Sequence, residues 1–389
     1  MPPASPQELF EAGYLNKAVK FLECDAAYSK KTYKDWLVLA ACKRAQGKDR
    51  EAARAINMAF ALNPGSLEPN YEYIQFLLSQ GQIQTAISLW RQYLVLLKAC
   101  PILDIQKLWD GVSDLNDKSI AVTMNYKWGL GDQIHFGRYL KLLKMKYPRV
   151  RIYLFGSQAL QRLFMANGMA DAFFDPAEQK SEPIRLPSQP DYTADLLLLG
   201  ACLAEDYTRQ EPVVYLKGGE NVGPELKSYF KNQPAGRARV AFVYKGSPSV
   251  TARRHINLEE LKPLFSQNPQ IHFFCLQKEA EDSEFAGLDN VTNLGPRLSD
   301  FYDTAFILEK MDAVIAIETA LSILAPAMGK EMHLIGRIDS SHYFHEYQGR
   351  NLWFDNFIAY RHEGEPQWGK LLERIGNALR KRFPAQERC

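Results

Sequence analysis

The sequence predicts an α-helical repeat array followed by two α/β units, and three observations support this fold class. Gly13, Gly47 and Gly81 recur at a spacing of 34 residues, which is typical of helical repeats. From about residue 119, short apolar runs of strand character alternate with helical runs, as in parallel sheets covered by helices. A stretch rich in Gly, Asn, Pro and Lys at 217–236 divides this series and predicts a linker.

The composition limits the class of protein. The chain has 389 residues, 46% of them apolar, which is enough for two or three domains with separate cores. Lys and Arg number 47 against 45 Asp and Glu, so the net charge of +2 does not favour nucleic acid as a partner. The six cysteines form no CxxC pair, which argues against a disulfide framework and favours a reducing cytoplasm. Because the sequence shows neither a signal-peptide pattern nor an 18-residue apolar run, we expect membrane contact to be peripheral at most.

The first element is the repeat, over residues 1–100. Ala18, Ala52 and Ala86 each follow a repeat glycine by five positions, so two residue types share one period. Small residues let helices approach closely, and glycine permits the turn between them. The middle unit resembles a tetratricopeptide repeat at Trp36, Leu39, Ala40, Gly47, Ala52, Ile56, Ala59 and Pro64. Three such units, the first acting as a cap, either brace the rest of the chain, mediate dimer contacts or form a groove for a polypeptide.

The first α/β unit is predicted at 118–216, after a connector at 101–117. Its predicted elements are a strand at 119–125, a helix at 132–146, a strand at 150–155 and two weaker strands at 195–199 and 213–216. The linker at 217–236 contains one short predicted helix at 226–230.

The second α/β unit is predicted at 237–365, followed by a terminal helix and tail at 366–389. Its predicted strands are 239–244, 271–276, 313–317 and 332–335, its helices 258–265, 300–309 and 319–328, and the terminal amphipathic helix covers 368–382. Two Rossmann-like units joined by a linker enclose a cleft, and ligands of such sheets bind at the carboxyl ends of the strands.

The first candidate site is the turn between the first strand and its helix, in the run 128–136 (WGLGDQIHF). This run lacks the third glycine of a dinucleotide fingerprint. Asp132 stands at the start of the helix, where its carboxylate either accepts a proton from an acceptor hydroxyl or caps the helix.

The second candidate is the basic turn after the strand at 239–244. It contains Lys245, Arg253 and Arg254. Guanidinium groups carry a permanent charge and fixed donors, so they suit a diphosphate. A solvated basic loop is the alternative.

The third candidate is the strand, turn and helix at 314–322. The hydroxyl of Thr319 and the backbone N–H groups of Ala320 and Leu321 lie at a helix start, which favours a phosphate ligand. A simple helix cap by Thr319 fits the local sequence equally well.

The run from Asn125 to Tyr139 (NYKWGLGDQIHFGRY) resembles the opening motif of the bacterial heptosyltransferase family and of related glycosyltransferases with tetratricopeptide repeats. The resemblance extends more distantly to O-linked N-acetylglucosamine transferase. It implies the GT-B fold, in which two Rossmann-like domains face each other and the second binds most of the nucleotide sugar. It also implies that Asp132 is the catalytic base and that Arg254 neutralises the leaving diphosphate, with Lys245 in the matching turn at the strand end.

The same resemblance suggests further positions around the cleft. Gln277 matches the place where the family contacts the nucleoside, and Glu318 stands where relatives carry Asp. Ile323 stands where they carry His. The remaining expected acceptor or cleft residues are Gly131, Gln133, His135, His342 and Tyr343.

These patterns predict a glycosyltransferase that moves a sugar from a nucleotide-sugar donor to an acceptor, and one candidate acceptor is a protein at the bacterial surface or flagellum. The sequence has no HxH, HExxH or Asp-x-Asp pattern, so we expect neither a metal nor another cofactor. Two alternatives stay open: transfer to a saccharide in lipopolysaccharide or capsule synthesis, and a non-catalytic adaptor with a degenerate GT-B module. The expected partners are the nucleotide sugar, a polypeptide at residues 1–100 and a second copy of the chain.

Overall fold

The computed structural model describes residues 5–11, 14–24, 31–46, 48–79, 82, 85, 88–90, 92–93, 104–124, 129–177, 185–203, 214–231, 236–246, 255–337, 346–347, 350–351, 353–362 and 367–385. The repeat residues Gly13, Gly47, Gly81 and Ala86 lie outside these ranges.

The N-terminal region is helical in the parts that the structure describes. Its helices are α1 (Pro6–Glu11), α2 (Leu15–Glu23), α3 (Tyr33–Ala45), α4 (Asp49–Leu62) and α5 (Leu67–Ser79). Consecutive helices pack against each other in sequence order. Ala18, Ala52 and Ala59 are completely buried where they do so, as expected for small residues at close helix contacts. The ammonium group of Lys43 lies 2.6 Å from a carboxylate oxygen of both Glu23 and Glu51, which joins three helices.

The first α/β unit contains a four-stranded parallel sheet in the order β3-β2-β1-β4. Its strands and helices are β1 (Ser119–Thr123), α6 (Leu130–Lys146), β2 (Arg151–Phe155), α7 (Gln158–Ala166), β3 (Ala172–Phe174), β4 (Tyr192–Asp195) and α8 (Leu196–Leu203). The register aligns Thr123 at the end of β1 with Phe155 of β2 and Asp195 of β4.

Two of the strand predictions for this unit were wrong. Of the run predicted as a strand at 195–199, Asp195 ends β4 and residues 196–199 begin helix α8. Leu196, Leu198 and Leu199 are buried, and an unbroken run of leucines has no period by which to separate a strand from a buried helix. The segment 214–216 forms no strand either. Its Tyr215 and Leu216 N–H groups donate to Ala327 O, at 3.0 and 3.2 Å, and not to a sheet.

The second α/β unit contains a six-stranded parallel sheet in the order β12-β9-β8-β5-β6-β7. The linker helix and the elements of this unit are α9 (Pro224–Lys231), β5 (Ala238–Val243), α10 (Leu258–Ser266), β6 (Ile271–Cys275), β7 (Val291–Asn293), α11 (Phe301–Glu309), β8 (Ala313–Ile317), α12 (Leu321–Ala327), β9 (Glu331–Arg337), β10 (Glu346–Tyr347), β11 (Arg350–Asn351), β12 (Phe357–His362) and α13 (Trp368–Arg382). The short antiparallel pair β10–β11 stands apart from the main sheet. The helix predicted in the linker and the four predicted strands of this unit are confirmed within two residues at each end.

The largest apolar core crosses the boundaries between the three regions. It joins Trp90 and Tyr93 of the N-terminal region, Leu140 of the first α/β unit and Leu324 of the second. A separate core covers the opposite face of the second sheet, under α10 and α13. The three regions therefore pack as one structure through shared apolar contacts.

A partly exposed set of polar contacts also fastens the two α/β units. We call it the ionic joint, and it consists of Arg162, Asp300, Asp303, Tyr302 and the carbonyl of Asn221. The guanidinium of Arg162 on α7 lies 3.0 Å from Asp300 and 3.2 Å from Asp303, and donates to Asn221 O at 2.8 Å. It also stacks 4.7 Å from the ring centre of Tyr302. The joint thus ties α7 to the linker and to the start of α11.

Candidate active site

The carboxyl ends of the central strands bring several predicted site residues to one edge of each sheet. In the second sheet, β5 lies between β6 and β8, so the residues that follow these strands are neighbours. Those residues include Lys245 after β5, Gln277 after β6, and Glu318 with Thr319 after β8. In the first sheet, β1 leads through residues 125–128, which lie outside the described parts, to the start of α6.

Asp132 forms a cap at the start of α6. Its Oδ2 accepts a hydrogen bond of 3.0 Å from the N–H of Gly129. A carboxylate in the first turn also interacts favourably with the helix dipole. The capping function that the sequence allowed is therefore present, and it fixes the carboxylate at the helix start. The side chain is only partly buried.

The start of α6 touches the start of α12 across the two units. A methyl group placed on Gly131 would lie 3.5 Å from Ala320 Cα and 3.7 Å from Ile323 Cγ1, which is ordinary van der Waals contact. The absence of a larger side chain at Gly131 therefore lets the two motif turns meet. Asp132 follows immediately on one side of this contact and Thr319 precedes it on the other.

The turn before α12 does not use Thr319 as the helix cap that the local sequence allowed. The Thr319 hydroxyl forms no cap, and its oxygen is buried with no hydrogen-bond partner in the described part of the chain. Ser322 makes the local bonds instead. Its hydroxyl donates to Thr319 O at 2.7 Å and accepts from Thr319 N at 3.3 Å. The hydroxyl of Thr319 is therefore not consumed by the helix start.

The basic turn is linked to its neighbouring strand end by Gln277. The N–H of Lys245 donates to Gln277 Oε1 at 3.0 Å, and Gln277 Nε2 donates to Glu279 at 2.7 Å. The ammonium of Lys245 lies 3.9 Å from Glu284, which also accepts from the Tyr244 hydroxyl at 3.2 Å. Burial raises the pKa of Tyr244, so this hydroxyl stays protonated. Arg253 and Arg254 lie outside the described residues.

Glu318 is buried beside strand β9. A methyl group placed on Gly336 would lie 3.1 Å from Glu318 Oε1, so the glycine leaves the room that the carboxylate occupies. Glu318 was predicted to contact the donor, and it does lie at the carboxyl end of β8. Its carboxylate, however, lies against the backbone of the neighbouring strand.

Two residues predicted for the open cleft are buried. His135 exposes none of its side chain and packs against Phe136, Trp353 and Phe354, with ring centres 5.0, 4.8 and 5.9 Å away. Gln133 is 2% exposed, and its Oε1 accepts from Ser157 N at 3.1 Å. Both side chains are buried because α6 is covered all round in this stretch, where every residue of 133–140 is buried. His342 and Tyr343 lie outside the described residues.

Sequence reasoning missed a second set of contacts between the units, which we call the buried joint. It consists of Arg138, Tyr215, Trp353 and Phe354. The Arg138 guanidinium lies 5.2, 4.9 and 5.2 Å from the three ring centres, respectively. The signal available in the sequence was the position of Arg138 inside the motif run 125–139.

No group of three or more His, Cys, Asp or Glu side chains in the described ranges is arranged to bind a metal ion. Within the same ranges, each helix is too short or too polar to cross a membrane.

Comparisons with known proteins give similarity only at the level of structure. No protein-family model matches the chain, and no curated protein matches its sequence. The Escherichia coli ADP-heptose LPS heptosyltransferase II has 11% sequence identity and a TM-score of 0.48, covering 68% of this chain and 99% of that chain. A family 9 glycosyltransferase from Veillonella parvula has 11% identity and a TM-score of 0.46, covering 70% and 92%. The O-GlcNAc transferase of Thermobaculum terrenum has 12% identity and a TM-score of 0.24, covering 85% and 81%.

Proposed function

We propose that the chain is a glycosyltransferase with a GT-B arrangement, which moves a sugar from a nucleotide-sugar donor to an acceptor hydroxyl. The observation that carries the proposal is the contact between Gly131 and Ala320, which brings the two motif turns together. One turn supplies a carboxylate at Asp132 and the other a hydroxyl at Thr319. Ligands of parallel sheets bind at this carboxyl edge. The resemblance of residues 125–139 to heptosyltransferases supports the same reaction.

The proposed reaction is a direct displacement at the anomeric carbon of the donor. The acceptor oxygen forms the new bond to that carbon as the bond to the nucleotide diphosphate breaks. Asp132 takes the proton that the acceptor hydroxyl loses. Lys245, Arg254 and the Thr319 hydroxyl stabilise the charge that develops on the leaving diphosphate. We propose that the reaction needs no metal, because these groups supply the positive charge and the donors.

The acceptor we favour is a polypeptide that binds the N-terminal helices as a tetratricopeptide-like array. Trp90 and Tyr93 of this region belong to the same core as the first α/β unit, so the helices adjoin the unit that carries Asp132. A saccharide acceptor is the alternative. Mass spectrometry of surface proteins and of extracted lipopolysaccharide from the same cells, with and without the protein, separates the two acceptors.

One observation favours a second candidate function, a non-catalytic adaptor that binds nucleotide sugars. Ile323 is 1% exposed and lies beside Gly131, at the position where similar enzymes carry a histidine. An apolar group at this contact donates no hydrogen bond to a phosphate. The adaptor predicts donor binding without transfer or hydrolysis.

The experiment combines a binding panel with a matched pair of variants. ADP, UDP, GDP and CDP sugars are screened by thermal shift, and the donors that bind are tested for transfer and hydrolysis. We expect Asp132→Asn to lower transfer by about 100-fold or more, the usual effect of removing a general base, with donor binding unchanged.

Asp175 is the matched control, because its Oδ2 accepts from Gln158 N at 2.7 Å at the start of α7 in the same unit. Asp175→Asn removes a similar helix-start charge and is expected to keep full activity. Full transfer by a stably folded Asp132→Asn protein would contradict the assignment of the base. Binding without any turnover in the wild type would favour the adaptor.

A further inference from the structure

Arg138 is a buried cation without an acidic partner among the described side chains. The residue is 3% exposed, and no described carboxylate lies within 4 Å of its guanidinium. Two other basic groups with little or partial exposure differ in this respect: Lys43 meets Glu23 and Glu51, and Arg162 meets Asp300.

The guanidinium of Arg138 contacts both α/β units. Its Nε donates to His135 O at 3.2 Å within α6, and its Nη2 is 3.5 Å from Trp353 O in the second unit. Its planar group faces the three rings of the buried joint, which suits a cation on aromatic faces. The charge is thus balanced by carbonyl oxygens and π faces from two different units.

The partners of Arg138 are themselves fixed. The Tyr215 hydroxyl donates to Ile134 O at 2.8 Å, and burial raises the pKa of Tyr215 to about 12, so it remains a donor. Asn351 Oδ1 accepts from the N–H groups of Trp353 and Phe354, at 2.9 and 3.0 Å, which orients these two residues. The second unit therefore presents a rigid surface to α6.

Burial of a guanidinium is costly, and an apolar side chain of similar size would pack in such a site at lower cost. Stability alone therefore does not explain this residue. What the guanidinium adds is direction, because it presents donors in a fixed plane. Those donors act on the carbonyl of His135, three residues from Asp132.

We propose that Arg138 is a positioning residue that fixes the start of α6 against the second α/β unit and so sets the place of Asp132 relative to the donor. Arg138 lies six residues beyond Asp132, about 9 Å along the helix axis at 1.5 Å per residue. It acts through the helix and touches no substrate. The inference rests on the proposed glycosyl transfer for its catalytic consequence.

The test compares Arg138→Met, Arg138→Lys and the control Arg149→Met in the full-length protein. Methionine occupies the site without directional donors, and lysine retains the charge without the planar group. Arg149 is an exposed arginine of the same unit, and its ion pair in the described part of the chain is with the exposed Asp117. Single-turnover transfer with excess enzyme, donor Kd and thermal unfolding are measured for each.

For Arg138→Met we expect transfer to fall about 10- to 100-fold, since small misplacement of a reacting group is costly. We expect the donor Kd to change less than twofold, and Arg138→Lys to recover only part of the rate. The decisive measurement is a double-mutant cycle that combines Arg138→Met with Asp132→Glu. If Arg138 acts through Asp132, Arg138→Met costs much less in the Asp132→Glu protein than in the wild type.

An equal fold-loss in both backgrounds, or an unchanged rate in a folded Arg138→Met protein, would overturn the inference. If the wild type transfers no sugar, the proposed function fails, and hydrogen exchange of residues 130–138 then tests the joint alone. Arg138→Met should speed exchange there relative to Arg149→Met. Equal exchange in the two variants would also overturn the inference.

Discussion

The buried joint and the ionic joint fasten the same two α/β units with the same kind of residue in opposite surroundings. At the buried joint, Arg138 is 3% exposed and meets carbonyl oxygens and aromatic rings. At the ionic joint, the Arg162 side chain is 41% exposed and meets two carboxylates. The first depends on short-range geometry, whereas the second depends on charges that salt screens.

Because of this difference, the two joints respond to different perturbations. Ions in solution weaken the pairs at Arg162, because part of that guanidinium is in water. They reach Arg138 poorly, because its surroundings exclude water. The units can therefore loosen at the ionic joint while the contact beside the candidate active site persists.

The largest expected effect comes from a glycine at the ionic joint. A methyl group placed on Gly219 would lie 2.1 Å from the Tyr302 hydroxyl and 2.9 Å from Cζ, and Tyr302 is 6% exposed. Gly219→Ala should therefore displace the ring beneath Arg162 and lower the free energy of unfolding by about 2–3 kcal/mol. Gly131→Ala is the matched control near the buried joint, where the methyl meets ordinary contact at 3.5 Å.

Urea unfolding of both variants checks this prediction. We expect Gly131→Ala to stay within about 1 kcal/mol of the wild type. A Gly219→Ala protein as stable as the wild type would mean that Tyr302 yields freely, and that the ionic joint is loosely packed.

The next largest effect distinguishes the two joints by how salt changes the loss of stability in their variants. Arg162→Met should lower the free energy of unfolding by about 1–2 kcal/mol at low salt, after allowing for the exposure of the pair. The loss should shrink in 1 M NaCl, where screening acts within about 3 Å. Tyr215→Phe removes one buried hydrogen bond of 2.8 Å to Ile134 O and should cost about 1 kcal/mol at either salt concentration.

Paired unfolding curves at 50 mM and 1 M NaCl measure both responses. A salt-independent loss in Arg162→Met would show that stacking on Tyr302, and not charge, carries the ionic joint. A salt-dependent loss of stability in Tyr215→Phe would show that the buried joint also responds to salt, so the two joints would not differ in this respect.

The positions of the parallel strands could be predicted only in part from the sequence. The central strands of the second sheet were predicted because each is a buried apolar run followed by a turn and a helix. β3, β7 and β12 were not, because β3 and β7 have only three residues each and all three lie at sheet edges. The continuous leucines of α8 gave no period at all, and there the prediction was wrong.

The candidate site was likewise predicted only in part. Lys245 and Gln277 were predicted at strand ends and Asp132 at the start of the helix that follows a strand, and parallel pairing brings such ends to one edge of a sheet regardless of side-chain detail. The burial of His135 was not predictable, because its ring partners Trp353 and Phe354 are more than 200 residues away in the chain. The buried joint has the same origin, since it needs the packing of both units.

The smallest predicted effect concerns the charged contacts of Glu331. These contacts lie on one side of the two joints, so they show how the stability of a charged contact depends on pH without any contribution from the joints. The hydrogen bond from His333 Nε2, 3.0 Å long, lowers the pKa of the Glu331 carboxyl, and Arg382 adds to this at 3.2 Å. A lowered carboxyl pKa stabilises the fold above the ordinary value of 4.5, and this stability is lost as the pH falls through the lowered pKa. Glu331→Gln should cost under about 1 kcal/mol at pH 7, as for partly exposed pairs.

The cost of Glu331→Gln should vanish at low pH, because the wild-type carboxyl is then protonated as well. Unfolding curves from pH 7 down to pH 3 test this, with the exposed Glu373→Gln on α13 as control. If Glu331→Gln lowered the free energy of unfolding equally at every pH, the contact with His333 would stabilise the fold through packing and not through the charge of the carboxylate. In that case the distinction between charged and uncharged contacts would apply to the joints alone.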